Sequence, residues 1–161
     1  LLVAMTWGLL KHAWHPNIQN KLHEELLSFG GEPSYHQLTN DFPHLDVVVQ
    51  EVLHLHPSVP ELTCEAAEND IIPLLDSVQT KSSGVVERGT ILSVPMSCIN
   101  HSDAIWGLDT KVFKPEQWLE LNGITKKAQE VKGYCHLLTF GNGCIGKTFA
   151  LAEIKVCVHY L

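Results

Sequence analysis

Arginine is nearly missing from this chain: Arg88 stands alone beside ten lysines. With 18 acidic residues against 11 basic ones, the formal net charge is −7, which excludes the basic footprint of a nucleic-acid binder. Long apolar runs are missing too. No stretch reaches the roughly 18 residues needed to cross a bilayer as a helix, so no membrane span is predicted. Cys64, Cys98, Cys135, Cys144 and Cys157 are odd in number, irregularly spaced and free of any Cys-x-x-Cys. That pattern points to a reducing compartment with at most one functional thiolate, not to a disulfide framework. The ten histidines are scattered, with no His-Glu-x-x-His and no paired Cys/His clusters, which argues against zinc. Also absent are an initiator methionine, a signal peptide and a transit peptide. Leu1 to Trp7 read as the interior of a buried helix without an N-cap, so the expectation is a piece of a longer protein.

What is present suits a globular core, with 45% hydrophobic residues. The spacing predicts a buried helix over residues 2–14, with Trp7, Leu10 and Trp14 on its core face. His15-Pro16 breaks it, because proline suits a first helical turn and restricts the residue before it. A second helix follows to about Phe29 and stops at Gly30-Gly31; a third is predicted over residues 43–55. Short strands are expected at Leu62–Glu65, Asp70–Leu74 and Thr90–Val94, a short helix at Met96–His101, and irregular chain over residues 107–139. The last helix is expected to start near Cys144. Its two apolar stripes, one with Ile145, Phe149, Ala152 and Val156 and one with Leu151, Ile154 and Val158, predict burial on two sides.

Residues 140–148, Phe-Gly-Asn-Gly-Cys-Ile-Gly-Lys-Thr, satisfy two unrelated motifs. From Gly141 they spell Gly-x-x-x-x-Gly-Lys-Thr, a phosphate-cradling loop that needs a strand before it, here His136–Phe140, and a helix after it. Only thirteen residues follow Thr148, too few for a strand carrying a second magnesium ligand. A nucleotide binder is therefore a distant alternative.

From Phe140 the same residues resemble the cysteine loop of the heme-thiolate monooxygenases, Phe-x-x-Gly-x-Arg-x-Cys-x-Gly, shortened by three residues before Cys144. Three more segments resemble that family in the right order. Thr6-Trp7, His15-Pro16 and Leu22-His23-Glu24-Glu25-Leu26 resemble the end of its long central helix and the helix that follows. Leu45 to Pro57, with Glu51 and His54, resembles the helix bearing Glu-x-x-Arg, and Phe113-Lys-Pro-Glu116-Gln117-Trp118 resembles Phe-x-Pro-Glu-Arg-Trp. The whole chain is thus similar to cytochrome P450 enzymes of the microsomal fungal type. The resemblance implies a mainly α fold with small β hairpins, forming a single partial domain over residues 1–161 on the C-terminal, heme-loop side.

The same resemblance implies heme b, with Cys144 as proximal thiolate ligand of its iron and Phe140, Gly143, Ile145, Gly146 and Phe149 along the cofactor. A cysteine at a helix N-terminus faces free N–H groups and the positive end of the dipole, which favour thiolate. A thiolate on heme iron promotes O–O cleavage. Glu51, His54, Glu116 and Gln117 are expected to be structural. The implied partners are a small organic substrate and an NADPH-dependent reductase, at the cytosolic face of the endoplasmic reticulum membrane, with the anchor in an absent N-terminal portion. No catalytic residue is assigned, because the family's oxygen-activating acid–alcohol pair would lie upstream of Thr6.

The departures concentrate on arginine. The two arginines expected to fork with Glu51 are His54 and Gln117, and Cys64 stands where a propionate-binding arginine is usual. A buried carboxylate stripped of its partner would cost about 3–5 kcal/mol. Arginine to histidine, glutamine or cysteine is one transition from CGN codons. Decay to an inactive product without heme is therefore the alternative expectation for this chain.

Overall fold

The computed structural model describes residues 2–72, 84–140 and 144–160. Two compact units emerge, residues 61–95 and the remainder of the chain.

In the larger unit, α1 (Leu2–Trp14), α2 (Pro16–Phe29), α3 (Tyr35–Asn40) and α4 (Pro43–Leu55) follow in quick succession. After the smaller unit come α5 (Met96–Asn100), α6 (Asp103–Trp106), a 3₁₀ turn (Pro115–Trp118), α7 (Lys126–Gln129) and α8 (Lys147–His159). Helix α4 is the centre: α1, α2, α8 and the 3₁₀ turn all pack against it. Its sequence explains this, since Leu45, Val48, Val49, Val52 and Leu53 are buried on one face and Val47, Glu51, His54 and Leu55 on the other. Each such apolar side chain contributes about 1.5–3 kcal/mol by leaving water.

Proline opens both α2 and α4 at the first turn, where its missing N–H costs nothing. Phe42, the residue before α4, offers no side-chain cap. Glu25 of α2 supplies one instead: its two carboxylate oxygens accept the N–H groups of His44 (2.9 Å) and Leu45 (3.0 Å). A carboxylate at a helix N-terminus satisfies orphan donors and opposes the macrodipole. Helix α2 ends at Gly30, whose φ of 74° is the left-handed C-cap conformation.

Two predicted burial patterns are corrected. On α1 the buried residues are Ala4, Gly8 and His12, while Leu10 is exposed and Trp14 is 60% exposed. Small residues let α1 approach α4 closely, so that a Cβ added at Gly8 would touch Val52 at 3.9 Å. Helix α8 starts at Lys147, three residues after Cys144, and buries one side, with Ala152, Ile154, Lys155 and Val158. The other stripe, with Ile145, Phe149 and Val156, is exposed. Buried Lys155 ties α8 to its neighbours, pairing with Asp46 of α4 and donating to the Thr39 carbonyl at 3.1 Å.

Among its described residues the smaller unit holds two antiparallel pairs. β1 (Leu62–Glu65) runs against β4 (Ile91–Val94) with Leu62 opposite Val94, and β2 (Asp70–Ile71) against β3 (Val85–Val86) with Ile71 opposite Val85. Gly89, at φ 85°, sits in the turn before β4. The predicted strand at Asp70–Leu74 is thus shorter over its described part, and its last two residues lie outside the described residues.

Candidate functional site

The buried glutamate on α4 fixes one half of the candidate site. Glu51 is 0% exposed. Its Oε1 accepts the backbone N–H of Lys114 at 2.8 Å; its Oε2 accepts Gln117 Nε2 at 2.7 Å and Trp118 Nε1 at 2.8 Å. The sequence-based expectation of a carboxylate without partners is corrected: three neutral donors from the 3₁₀ turn and its entry replace the missing arginines. Buried polar groups are tolerated when hydrogen-bonded, and donors to a charged acceptor are the stronger ones.

His54, on the same face of α4, has its Nδ1 3.6 Å from Glu51 Oε2. Its Nε2 carries a proton, because its partner at 2.8 Å is the Asn100 carbonyl, which can only accept. Thr110 donates to that carbonyl at 3.0 Å, and the Asn100 amide donates back to the His54 carbonyl at 3.1 Å. Trp106 and Trp118 wall the imidazole, with ring centroids 4.3 and 5.9 Å away. Glu116 faces outward and pairs with Lys21 of α2 at 2.9 Å. That hydrogen bond holds the Glu116 carboxyl below the usual range against an opposing contribution from burial.

The other half is the turn into α8. Cys144 is exposed, and the N–H of Lys147 donates to its carbonyl at 3.2 Å. The thiol therefore precedes the N-cap, Gly146, by two residues, outside the first turn where the helix dipole acts most strongly. Ile145 is fully exposed and Phe149 is 72% exposed. A Cβ added at Gly146 would meet nothing within 4 Å, so this face is open. Phe140 is half-buried, its ring edge-on to Tyr134 at 5.5 Å. Gly143 lies outside the described residues.

The predicted strand before the phosphate motif is not there. Residues 136–140 are turn and irregular chain, following a tight bend in which Tyr134 bridges Leu137. Lys147, the lysine that would reach phosphate, lies over the Tyr134 ring at 4.8 Å. Sequence reasoning missed Trp118 as a donor, the Lys114 N–H and the Asn100–Thr110 clasp. Trp118 was the findable one, since a tryptophan next to a polar residue in a buried turn needs an acceptor for its indole N–H.

A helical core built on one buried glutamate, with a cysteine turn leading into the last helix, is the plan of the heme-thiolate proteins. Residues 2–161 match the family Cytochrome P450. Two similar proteins are cytochrome P450 monooxygenases claQ and claO of Ampulloclitocybe clavipes, each 46% identical, matched over 99% and 98% of this chain and 31% of their own length. Cytochrome P450 monooxygenase 128 of Postia placenta is 35% identical over 98% of this chain and 30% of its own length. The chain belongs to the cytochrome P450 family, and spans about a third of the curated relatives it matches.

Proposed function

We propose that this chain is the thiolate-ligand side of a heme monooxygenase, with Cys144 holding the iron of heme b. The observation that carries the reading is the open face at the entry to α8. An exposed thiol stands beside exposed Ile145 and Phe149, apolar side chains that a soluble surface seldom presents together. The donor chemistry fits: a soft thiolate suits heme iron, and flat apolar contact suits a macrocycle. Phe140, Gly143, Ile145, Gly146 and Phe149 are the residues that would line the group. When bound, the group supplies dioxygen activation. For the whole protein this means insertion of one oxygen atom into a small organic substrate, with electrons from an NADPH-dependent reductase at the endoplasmic reticulum surface. Among the described residues no helix is long and apolar enough to cross a membrane.

The chain's own residues perform two tasks in this reading. Cys144 presents sulfur at an open surface. Glu51, fastened to Lys114, Gln117 and Trp118, holds α4 to the turn beneath it as part of one partial domain over residues 1–161. The carboxylate edge of the group fares less well. Cys64, where the resemblance expects a propionate-binding arginine, offers no positive charge, and the shortened loop before Cys144 lacks the arginine of the family's cysteine loop.

That shortage favours a second reading for the 161-residue chain by itself: weak or no heme uptake and no catalysis. Adding hemin to the purified chain, reducing it and exposing it to carbon monoxide separates the two. A strongly red-shifted thiolate band, lost in Cys144→Ser, supports the first reading. No heme uptake, with Cys144 alkylated equally fast with and without hemin, supports the second. Thermal stabilisation by nucleotide would support the phosphate loop instead.

A further inference from the structure

A second gathering of chemistry-bearing side chains shares no residue with the cysteine turn. His56 is the C-cap of α4, its N–H bonded to Val52, and its ring lies flat on Trp7 of α1 with centroids 3.9 Å apart and planes 6° apart. His101 follows α5, with its N–H on the Ser97 carbonyl at 3.1 Å. These two histidines, Trp7, Ser97, Lys11 of α1 and Lys111 of the loop after α6 line a cleft of about 410 Å³. Among the described residues no aspartate or glutamate lines it, although acids outnumber bases 18 to 11 in the chain.

We propose that this cleft binds a small oxyanion: a phosphate or sulfate group, free or carried as an ester by a small organic molecule. Lys11 of α1, His56 at the end of α4, His101 just after α5 and Lys111 of the loop after α6 converge here with no counter-charge among the described residues. Like charges held together raise the local potential and focus anions into a cleft. The histidines register that potential. Burial first, then Lys11 and His101, push His56 down to about 4. Burial first, then His54 and later Lys111, lower His101, whose bonds to Leu55 and Ser97 oppose the shift. The groups facing the two imidazoles are thus Lys11, Lys111 and His54, whose ring is 6.4 Å from that of His101. An anion reverses the repulsion among them, so its binding takes up protons. Lys11 is already steadied, its ammonium 5.8 and 5.6 Å from the ring centroids of Trp14 and Phe113, which leaves less side-chain freedom to lose. The Ser97 hydroxyl adds an uncharged donor, and Trp7 an apolar wall for an ester's organic part.

Titrating the full chain with sodium sulfate at constant ionic strength, by calorimetry and by NMR of the histidine Cε1–H signals, tests the site. Sulfate keeps its charge through the range, so any pH dependence belongs to the protein. The expected result is saturable binding that moves the His56 and His101 signals and tightens about tenfold as pH falls from 7 toward 4.5 and the imidazoles gain protons. Lys111→Gln, an exposed change that leaves the unfolding midpoint in place, should weaken binding about fivefold. Phenyl phosphate binding tighter than inorganic phosphate would assign the ester as the source, and equal binding the free ion. Non-saturable binding, or saturation that Lys111→Gln does not weaken, would overturn the proposal.

Discussion

The indole N–H of Trp118 donates to Glu51 Oε2 at 2.8 Å, joining a 3₁₀ turn to the most buried acid of the core. Trp118 shares that oxygen with Gln117, and the Lys114 N–H takes the other. A carboxylate with three good donors has no need of an arginine to remain in a core.

Trp118→Phe keeps the ring's bulk and removes one donor, so it should cost about 1–3 kcal/mol in urea unfolding. Gln117→Arg, which restores the family's residue, should change stability by less than about 1 kcal/mol because Glu51 is already satisfied. A gain of several kcal/mol from that arginine would show the three-donor account to be wrong.

Acid should weaken the fold before the carboxylates titrate. His56 is pushed down to about 4, and burial foremost lowers His12 as well. Both are neutral in the fold and charge more readily when unfolded, so their contribution is whole above about pH 6.5 and is lost as pH falls from there toward 4. Thermal midpoints should drop between pH 6.5 and 5. His56→Phe, which preserves stacking on Trp7, should flatten part of that slope; an unchanged slope would remove His56 from the account.

Glycines should divide sharply by position. A Cβ at Gly123 would lie 2.0 Å from the Gln117 carbonyl oxygen, and one at Gly133 would lie 2.1 Å from that of Leu137. Gly123→Ala must push the turn that holds Glu51 and should cost about 1–3 kcal/mol or more. Gly31→Ala meets nothing within 4 Å and should be near neutral in the same denaturant titration.

The bend before the cysteine turn carries two consecutive left-handed residues, Cys135 at φ 48° and His136 at φ 63°. Neither is glycine, so each is strained by about 1 kcal/mol. His136→Gly should therefore raise stability by up to about 1 kcal/mol; a loss would mean the imidazole makes a compensating contact.

Alkylation should rank the thiols. Burial foremost pushes the half-buried Cys135 thiol up, opposed in part by Tyr134 and Lys147, so little of it is thiolate. Exposed Cys64, Cys98 and Cys144 should react first and Cys135 well after them, read by peptide mapping over time. Early labelling of Cys135 would contradict its burial.

Much of the helical frame was legible because proline and glycine punctuate it: Pro16, Gly30 and Pro43 set boundaries that the structure keeps. Helix α3 was also within reach, since Ser34 and Gln37 form a reciprocal capping box that the spelling Ser-x-x-Gln announces. Burial was harder. Trp7, Leu10 and Trp14 look like core by size, yet Gly8 and Ala4 make the contact, because close helix approach selects the absence of a side chain. The Glu51 site was half visible. Its acid and glutamine could be read, but a backbone N–H leaves no mark in a sequence, and the Glu25 cap on α4 depends on a tertiary approach that helical periodicity does not encode.

The flat stack of His56 on Trp7 also gives the molecule an optical gauge. Imidazolium quenches indole emission far more strongly than imidazole does, and here the two rings are held face to face at 3.9 Å. Trp7 fluorescence therefore reports the protonation of its neighbour without any attached label. Replacing Trp14, Trp106 and Trp118 by phenylalanine would leave a single emitter whose brightness follows the charge state of one histidine.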